Sequence, residues 1–543
     1  MEVPDWGTIP RMLRDQAGTH PSDVVVAGGE VRLSLAGLRD RAGAVARGLI
    51  ALGVRPGDRV AIWGLNDPDW VVGAFGVWDA GAVLVPLSAR YKGIEAAAML
   101  GRTGASVLVT GHGPDGTVFT DLLAGAAGGP AAGRPFEGLP ELRCSVVPDA
   151  LERPGTVRRS RMLSAGSRIG HAEAEERALA VRPDDLCEIM STSGSTGTPK
   201  GVMLEHGPTL RGYWDWAEIV TLRPGDRYPI VAPFAHGFGL NAGLLASVMR
   251  RATMMPIPVF GPELLTELIH DRRITVLAGP PTLFHRLLEG DVGEHSLRVA
   301  ICGAASVPAE LIRRLLERTG LERMINAYGL MEGTVVSMTR AEDPVEVVAS
   351  STGRPVPGIE VRIVDDHGAE VPAGERGEIV MRGYGVMRGY WDDPDRTAEV
   401  IRDGWLHTGD IGTFDAGGNL AVVDRKKELF IVGGFNVSPA EVEGLLLREG
   451  SLAQAAVVGM PDERSGEAGW AFVVPRPGVA VDPERVLAWA RENMSNYKVP
   501  RRVIVVDGLP ANANGKTDKR ILRARAAGRA PDGNSVAGPD TAR

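Results

Sequence analysis

The sequence predicts an α/β protein, with a large N-terminal domain of layered sheets and helices followed by a small α+β domain. Three observations predict it. Short apolar runs alternate with amphipathic stretches at helical spacing through the first part of the chain, the pattern of layered α/β structure. Beyond about residue 355 the pattern changes to short strands separated by turn residues. A charged break, Asp424-Arg425-Lys426-Lys427, then leads into a compact series of strand, helix, strand, strand, helix and strand. A chain of 543 residues is also too long for one ordinary core.

The elements follow in order. The N-terminus has no basic stretch leading into an apolar run, so no secretory signal is expected and the protein is placed in the cytoplasm. Helices are expected over Ala36–Ala51 and Pro308–Arg318. Strands are expected over Val60–Trp63, Ala82–Pro86, Leu186–Met190, Ile230–Ala232, Thr275–Leu277 and Arg298–Cys302. Residues 71–87 are the most apolar stretch, but Asp79 and repeated glycines interrupt it. It predicts a buried helix-turn-strand and no integral membrane segment. The Gly-rich stretch 111–135 lacks periodicity and predicts a surface excursion.

In the second pattern, strands are expected over Glu360–Val364, Glu378–Arg382 and Asn419–Val423. After the break, Ser438-Pro439-Ala440-Glu441 marks a helix start. Ser438 is the N-cap, Pro439 the first helical residue, and Glu441 completes a capping box. These signals divide the chain into 1–424, 425–525 and a disordered tail, 526–543.

Charge excludes some functions. With 60 basic against 68 acidic residues the net charge is −8, which opposes a broad nucleic-acid or anionic-membrane footprint. Cys144, Cys187 and Cys302 are widely spaced and predict reduced thiols rather than disulfides or a metal site.

The strongest chemical signal directly follows the apolar strand at 186–190. In Ser191-Thr192-Ser193-Gly194-Ser195-Thr196-Gly197-Thr198-Pro199-Lys200-Gly201, six of the first eight residues carry hydroxyls and two are glycines. Glycine lets backbone N–H groups approach an anion, hydroxyls add donors, and Lys200 adds a cation, a composition suited to a polyphosphate. It is not a Walker loop. The Gly515-Lys516-Thr517 triplet fails that pattern too, because Pro510 stands where it needs glycine.

Residues 191–201 resemble the phosphate loop of the adenylate-forming superfamily, which includes acyl-CoA synthetases, luciferases and peptide-synthetase adenylation domains. Seven further motifs follow in the family's order, and the resemblance covers roughly residues 10 to 525. It implies a large adenylation domain with a small β-barrel-like part and a mobile C-terminal domain. It also implies residue roles. The ring of His236, in Pro233-Phe234-Ala235-His236-Gly237-Phe238-Gly239, gates entry of the acid carboxylate. Gly303, Ala304 and Ala305 lie along adenine. Asn326, Ala327, Tyr328, Gly329, Leu330, Met331 and Glu332 form the core adenine motif, with Tyr328 stacked on the base. Glu332, with Thr192, is the expected Mg²⁺ ligand. Asp410 takes the ribose hydroxyls, assisted by Arg425, with Val422 nearby. Lys427 is the hinge pivot. Gly433 and Gly434 face the pantetheine channel, and Lys516 is the catalytic cation for adenylation.

The implied reaction is attack of a carboxylate on the α-phosphorus of ATP with release of pyrophosphate. Transfer of the acyl group to the thiol of coenzyme A follows, after rotation about the hinge. The implied partners are a small-molecule carboxylic acid, ATP and CoA, and the resemblance admits a homodimer. Met331 stands where the family usually has threonine, whose hydroxyl touches the α-phosphate. The mostly apolar, small residues Leu240–Leu245 suggest room for a bulky acyl group, fatty, polycyclic or terpenoid. Residues 228–241 contain no aspartate, which disfavours a peptide-synthetase domain. Transfer of the adenylate to another acceptor, luciferase-type oxidation and a nucleotide-binding pseudo-enzyme are the alternatives.

Overall fold

The structure, a computed structural model, describes residues 3–131, 134–192, 199–279, 283, 284, 287, 288, 293–303, 309–425, 430–510, 517 and 519–528. The described residues fall into two compact units, one up to residue 425 and one from 430 onward.

The larger unit contains an eight-stranded sheet. Its order is Gly389–Tyr390, Lys200–Glu205, Leu186–Thr192, Val83–Leu87, Arg59–Trp63, Val107–Thr110, Cys144–Val147 and Thr156–Arg158. Pairing from Leu186–Thr192 through Thr156–Arg158 is parallel. The strands Leu186–Thr192 and Lys200–Glu205 run antiparallel. A second sheet is ordered Val276–Gly279, Val299–Gly303, Arg323–Leu330, Thr334–Met338, Arg354–Pro355, its first three strands parallel. A third joins Arg227–Ile230 and Thr253–Pro256 to Val24–Gly28 and Val31–Ser34. The β-rich part is a five-stranded antiparallel sheet from Ile359–Val364 to Leu420–Arg425.

Residues 71–87 show how the sequence builds this core. Asp67 caps the helix Pro68–Asp79, its side chain accepting from the Trp70 N–H, and Pro68 opens the first turn. The chain then turns into the strand Val83–Leu87. Asp79, 1% exposed, ion-pairs with Arg14 at 2.9 Å. Burial pushes its carboxyl up to about 6 against the pull of that guanidinium. The charge in the apolar run is thus an internal ion pair. Among the described residues, no helix is long and apolar enough to cross a membrane.

Two expectations need correction. Residues 111–135 are not simply a surface excursion, because Phe119–Ala127 is a helix with Phe119 and Leu123 buried. Phe119 stacks on Trp63 with ring centroids 4.3 Å apart, and that apolar anchoring outweighs the helix-weakening glycines. The strand expected at Ile230–Ala232 ends at Ile230 and starts earlier, at Arg227.

In the smaller unit, Leu452–Asp462 and Gly466–Pro475 form the long central pair. Phe430–Val432, Phe435–Val437 and Arg502–Val505 complete the sheet. Ser438 caps the helix Pro439–Leu446 by accepting from the Glu441 N–H. The Glu441 side chain takes the buried Lys498 ammonium at 2.7 Å. The tail from 529 lies outside the described residues.

Candidate active site

Register fixes the base of the hydroxyl-rich loop. In the antiparallel pair, Thr192 lies opposite Lys200 and Ser191 opposite Gly201. Ser191 Oγ lies 2.7 Å from the Tyr91 hydroxyl. Thr192 Oγ1 is buried and has no hydrogen-bond partner among the described residues, a donor and acceptor that a phosphate or a metal-bound water could use. Ser193, Gly194, Ser195, Thr196 and Gly197 lie outside the described residues.

Lys200 is 6% exposed. Its ammonium lies 4.4 Å from the centroid of the Tyr390 ring, within cation–π range. The Tyr390 hydroxyl donates to Glu332 Oε1 at 2.9 Å. Burial, reinforced by that carboxylate, raises the phenol's pKa and keeps it a donor. The Glu332 carbonyl also accepts from the Met387 N–H at 2.8 Å. Tyr390 thus links the loop's lysine to the expected metal carboxylate. Sequence reasoning missed it, because it stands 58 residues beyond Glu332 on a two-residue strand with no local motif. Among the described residues, no group of three or more His, Cys, Asp or Glu could hold a metal ion. A Mg²⁺ carried by phosphates needs only one or two protein oxygens, and the Thr192 hydroxyl and Glu332 carboxylate are of that kind.

Thr192 and Gly303 end strands that have parallel neighbours, the end at which open α/β sheets bind ligands. Gly303 ends its strand opposite Ala327; Ala304 and Ala305 lie outside the described residues. Asn326 is buried, its amide donating to the Val348 and Ser351 carbonyls at 3.3 and 2.9 Å, so it ties down the neighbouring turn. Tyr328 donates to Asp410 Oδ2 at 2.6 Å, and both are buried. The structure therefore brings the base-stacking and ribose candidates into direct contact across 82 residues of chain. Arg425 pairs in register with Asp410, and Val422 is exposed.

At the expected gate, exposed His236 caps a short helix, its Nδ1 accepting from the Phe238 N–H at 3.3 Å. Leu240–Leu245 forms a π-helix, all six residues buried. Such turns concentrate at functional sites. Met331 lies beside this expected gate segment: a Cβ at Gly237 would lie 3.2 Å from Met331 Sδ and 3.4 Å from the Tyr213 hydroxyl. A side chain at Gly237 would need the Met331 thioether to give way by a few tenths of an ångström.

In the smaller unit, Gly433 and Gly434 have φ of +56° and +87° and join Phe430–Val432 to Phe435–Val437. This is a two-residue hairpin turn with both central residues left-handed, which favours the Gly-Gly pair. Lys427 and Lys516 lie outside the described residues.

Comparisons with known proteins point the same way. The AMP-binding enzyme family model matches residues 13–391, and that of the AMP-binding enzyme C-terminal domain matches 441–516. The chain is 42% identical to a 3-[(3aS,4S,7aS)-7a-methyl-1,5-dioxo-octahydro-1H-inden-4-yl]propanoyl:CoA ligase of Rhodococcus jostii, over 95% of this chain and 98% of that protein. It is 37% identical to a feruloyl-CoA synthase of Amycolatopsis, over 94% of this chain and 97% of that one. Among solved structures it resembles the amide bond synthetase McbA of Marinactinospora thermotolerans. That match has a TM-score of 0.80 and 28% identity over 95% of this chain and 99% of the other.

Proposed function

Since this chain belongs to the AMP-binding enzyme family and is an acyl-CoA ligase using ATP and CoA, we propose that its acid is bulky and largely apolar, a polycyclic acid in the first instance. We also propose that the residues above divide the work of two half-reactions. The contact between Tyr328 and Asp410 carries the nucleotide assignment: one hydrogen bond joins a flat ring for the base to a carboxylate for the ribose. The propanoyl:CoA ligase likeness and the buried π-helix at the gate support the choice of acid.

In this reading Tyr328 stacks on adenine and Asp410 accepts from the ribose hydroxyls. Lys200, Ser191 and Thr192, with residues 193–197, hold the phosphates. Glu332 and Thr192 would hold Mg²⁺, which would supply charge neutralisation to the phosphates. The acid is already ionised at neutral pH, so no general base is needed. Its carboxylate enters past His236 and attacks the α-phosphorus, and pyrophosphate leaves. Lys516 faces the charge that develops at the α-phosphate. The C-terminal part then turns about Lys427, and Gly433-Gly434 lines the path of the CoA thiol to the acyl carbon, displacing AMP. Pyrophosphate release measured with and without CoA across a panel of fatty, aromatic and polycyclic acids tests this reading. A best substrate that is short or strongly polar overturns it.

Two variants probe the site. Met331→Thr removes thioether contact with the gate, worth about 0.8 kcal/mol per buried methylene. The KM for the acid should rise about tenfold while that for ATP stays unchanged. A fall in the KM for ATP with faster adenylation would instead show that the new hydroxyl serves the α-phosphate. Tyr390→Phe keeps the ring beneath Lys200 and deletes the donor to Glu332, a hydrogen bond to a charged group worth about 1.5–3 kcal/mol. The Mg²⁺ concentration for half-maximal adenylation should then shift about tenfold, and an unchanged titration would count against the link.

A further inference from the structure

The strand that leads into the phosphate loop carries one carboxylic acid inside the sheet. Glu188 is 0% exposed. Its strand neighbours in register are Leu84 and Leu204, and the adjacent Cys187 thiol points to the Leu204 carbonyl. Glu188 Oε1 accepts one hydrogen bond, from the amide of Asn241 at 2.7 Å. Asn241, also 0% exposed, is the second residue of the π-helix behind the gate. It faces the hydroxyl of Tyr213, the same hydroxyl that stands beside Gly237 and Met331. Glu188 Oε2 and Asn241 Oδ1 have no hydrogen-bond partner among the described residues. Two buried polar atoms left unpaired next to a π-turn are costly and require a reason.

We propose that Glu188, acting through Asn241 and Tyr213, is a positioning residue for acid binding. It ties the π-turn that carries the gate to the strand that carries the phosphate loop, so that the carboxylate and the α-phosphate meet in register. The proposal rests on the ligase reading above. A π-turn carries one more residue than an α-turn and needs an anchor to hold its place. Asn241 provides that anchor, and the sheet supplies the partner. The link therefore serves the acid subsite, while Tyr328 and Asp410 serve the nucleotide independently.

Ionisation provides the test. The groups facing Glu188 are the Cys187 thiol, Asn241 and Tyr213. Burial pushes its carboxyl up to about 7, opposed by the Asn241 hydrogen bond. The same burial keeps the thiol and phenol protonated through this range. Below about pH 7 Glu188 is neutral and accepts the Asn241 hydrogen bond weakly. Above it, the charged carboxylate accepts that bond more strongly, and the π-turn is held more firmly.

The KM for the acid should therefore fall roughly tenfold in the wild type between pH 6 and 8.5, with the KM for ATP flat. In Glu188→Gln, which keeps the acceptor oxygen and stays neutral, the acid KM should match the wild type at pH 6 and remain flat. Asn241→Ala should raise the acid KM about tenfold at every pH without changing the KM for ATP. Superposable wild-type and Glu188→Gln profiles, or equal changes in both Michaelis constants for Asn241→Ala, would reduce the pair to ordinary core. An absence of acid-dependent pyrophosphate release by the wild type at every pH would overturn the ligase reading, and this proposal with it.

Discussion

Lys516→Ala is expected to abolish adenylation while leaving thioester formation from supplied acyl-adenylate intact. The two half-reactions make different electrostatic demands. Attack on the α-phosphorus gathers negative charge on phosphate oxygens, and a lysine aimed at that charge stabilises the transition state. Removing one such group costs about 100- to 1,000-fold in rate. Thiol attack on the acyl carbon displaces AMP already formed and leaves no comparable task for this cation. ATP–pyrophosphate exchange measures the first step, and CoA-dependent consumption of synthetic acyl-adenylate measures the second. Equal losses in both would remove Lys516 from its half-reaction.

Asp410→Ala is expected to cost nearly as much, through binding rather than rate. The carboxylate is buried and accepts from Tyr328 at 2.6 Å. In the proposed site it would accept from the ribose as well, and each bond to a charged acceptor is worth about 1.5–3 kcal/mol. Loss of two such bonds should weaken ATP at least about 100-fold, by the rule of about 1.4 kcal/mol per tenfold. Calorimetric titration of ATP provides the measurement. Tyr328→Phe separates the parts: it keeps the stacking ring and loses the hydroxyl that orients the carboxylate, so its affinity should fall by about tenfold or less. An Asp410→Ala protein with wild-type ATP affinity would make Asp410 a turn residue and no more.

The sequence made the fold legible where local chemistry decides the structure. Ser438, Pro439 and Glu441 mark a helix start by cap geometry alone, and the helix Pro439–Leu446 begins there. The Asp79 interruption was enough to predict a helix-turn-strand over 71–87. The candidate phosphate, adenine and ribose motifs could be proposed because each sits on a few consecutive residues. What escaped notice depends on contacts distant in sequence. Tyr390 gains its importance from Lys200 and Glu332. Glu188 looks like a lone polar residue in an apolar strand until Asn241, 53 residues on, meets it. The helix Phe119–Ala127 hid among glycines because its stability comes from Trp63, on another strand. The neighbourhood of Met331 escaped motif comparison too, since the facing Gly237 lies on a different segment.

The three thiols bear on the chemistry in another way. An acyl-adenylate is a mixed anhydride, and a nearby thiolate would intercept it and leave the catalyst acylated on itself. Cys144, Cys187 and Cys302 are all buried. Burial pushes Cys144 up to about 11 and Cys302 up to about 12, and raises Cys187 well above its ordinary value. Since the thiolate is the nucleophile, all three are inert at neutral pH. The CoA sulfur is thereby left without rivals from the protein's own cysteines. The same burial should leave the native chain unreactive toward maleimides, so that a single cysteine placed on the surface of either unit is labelled alone and can test whether the units move between the two half-reactions.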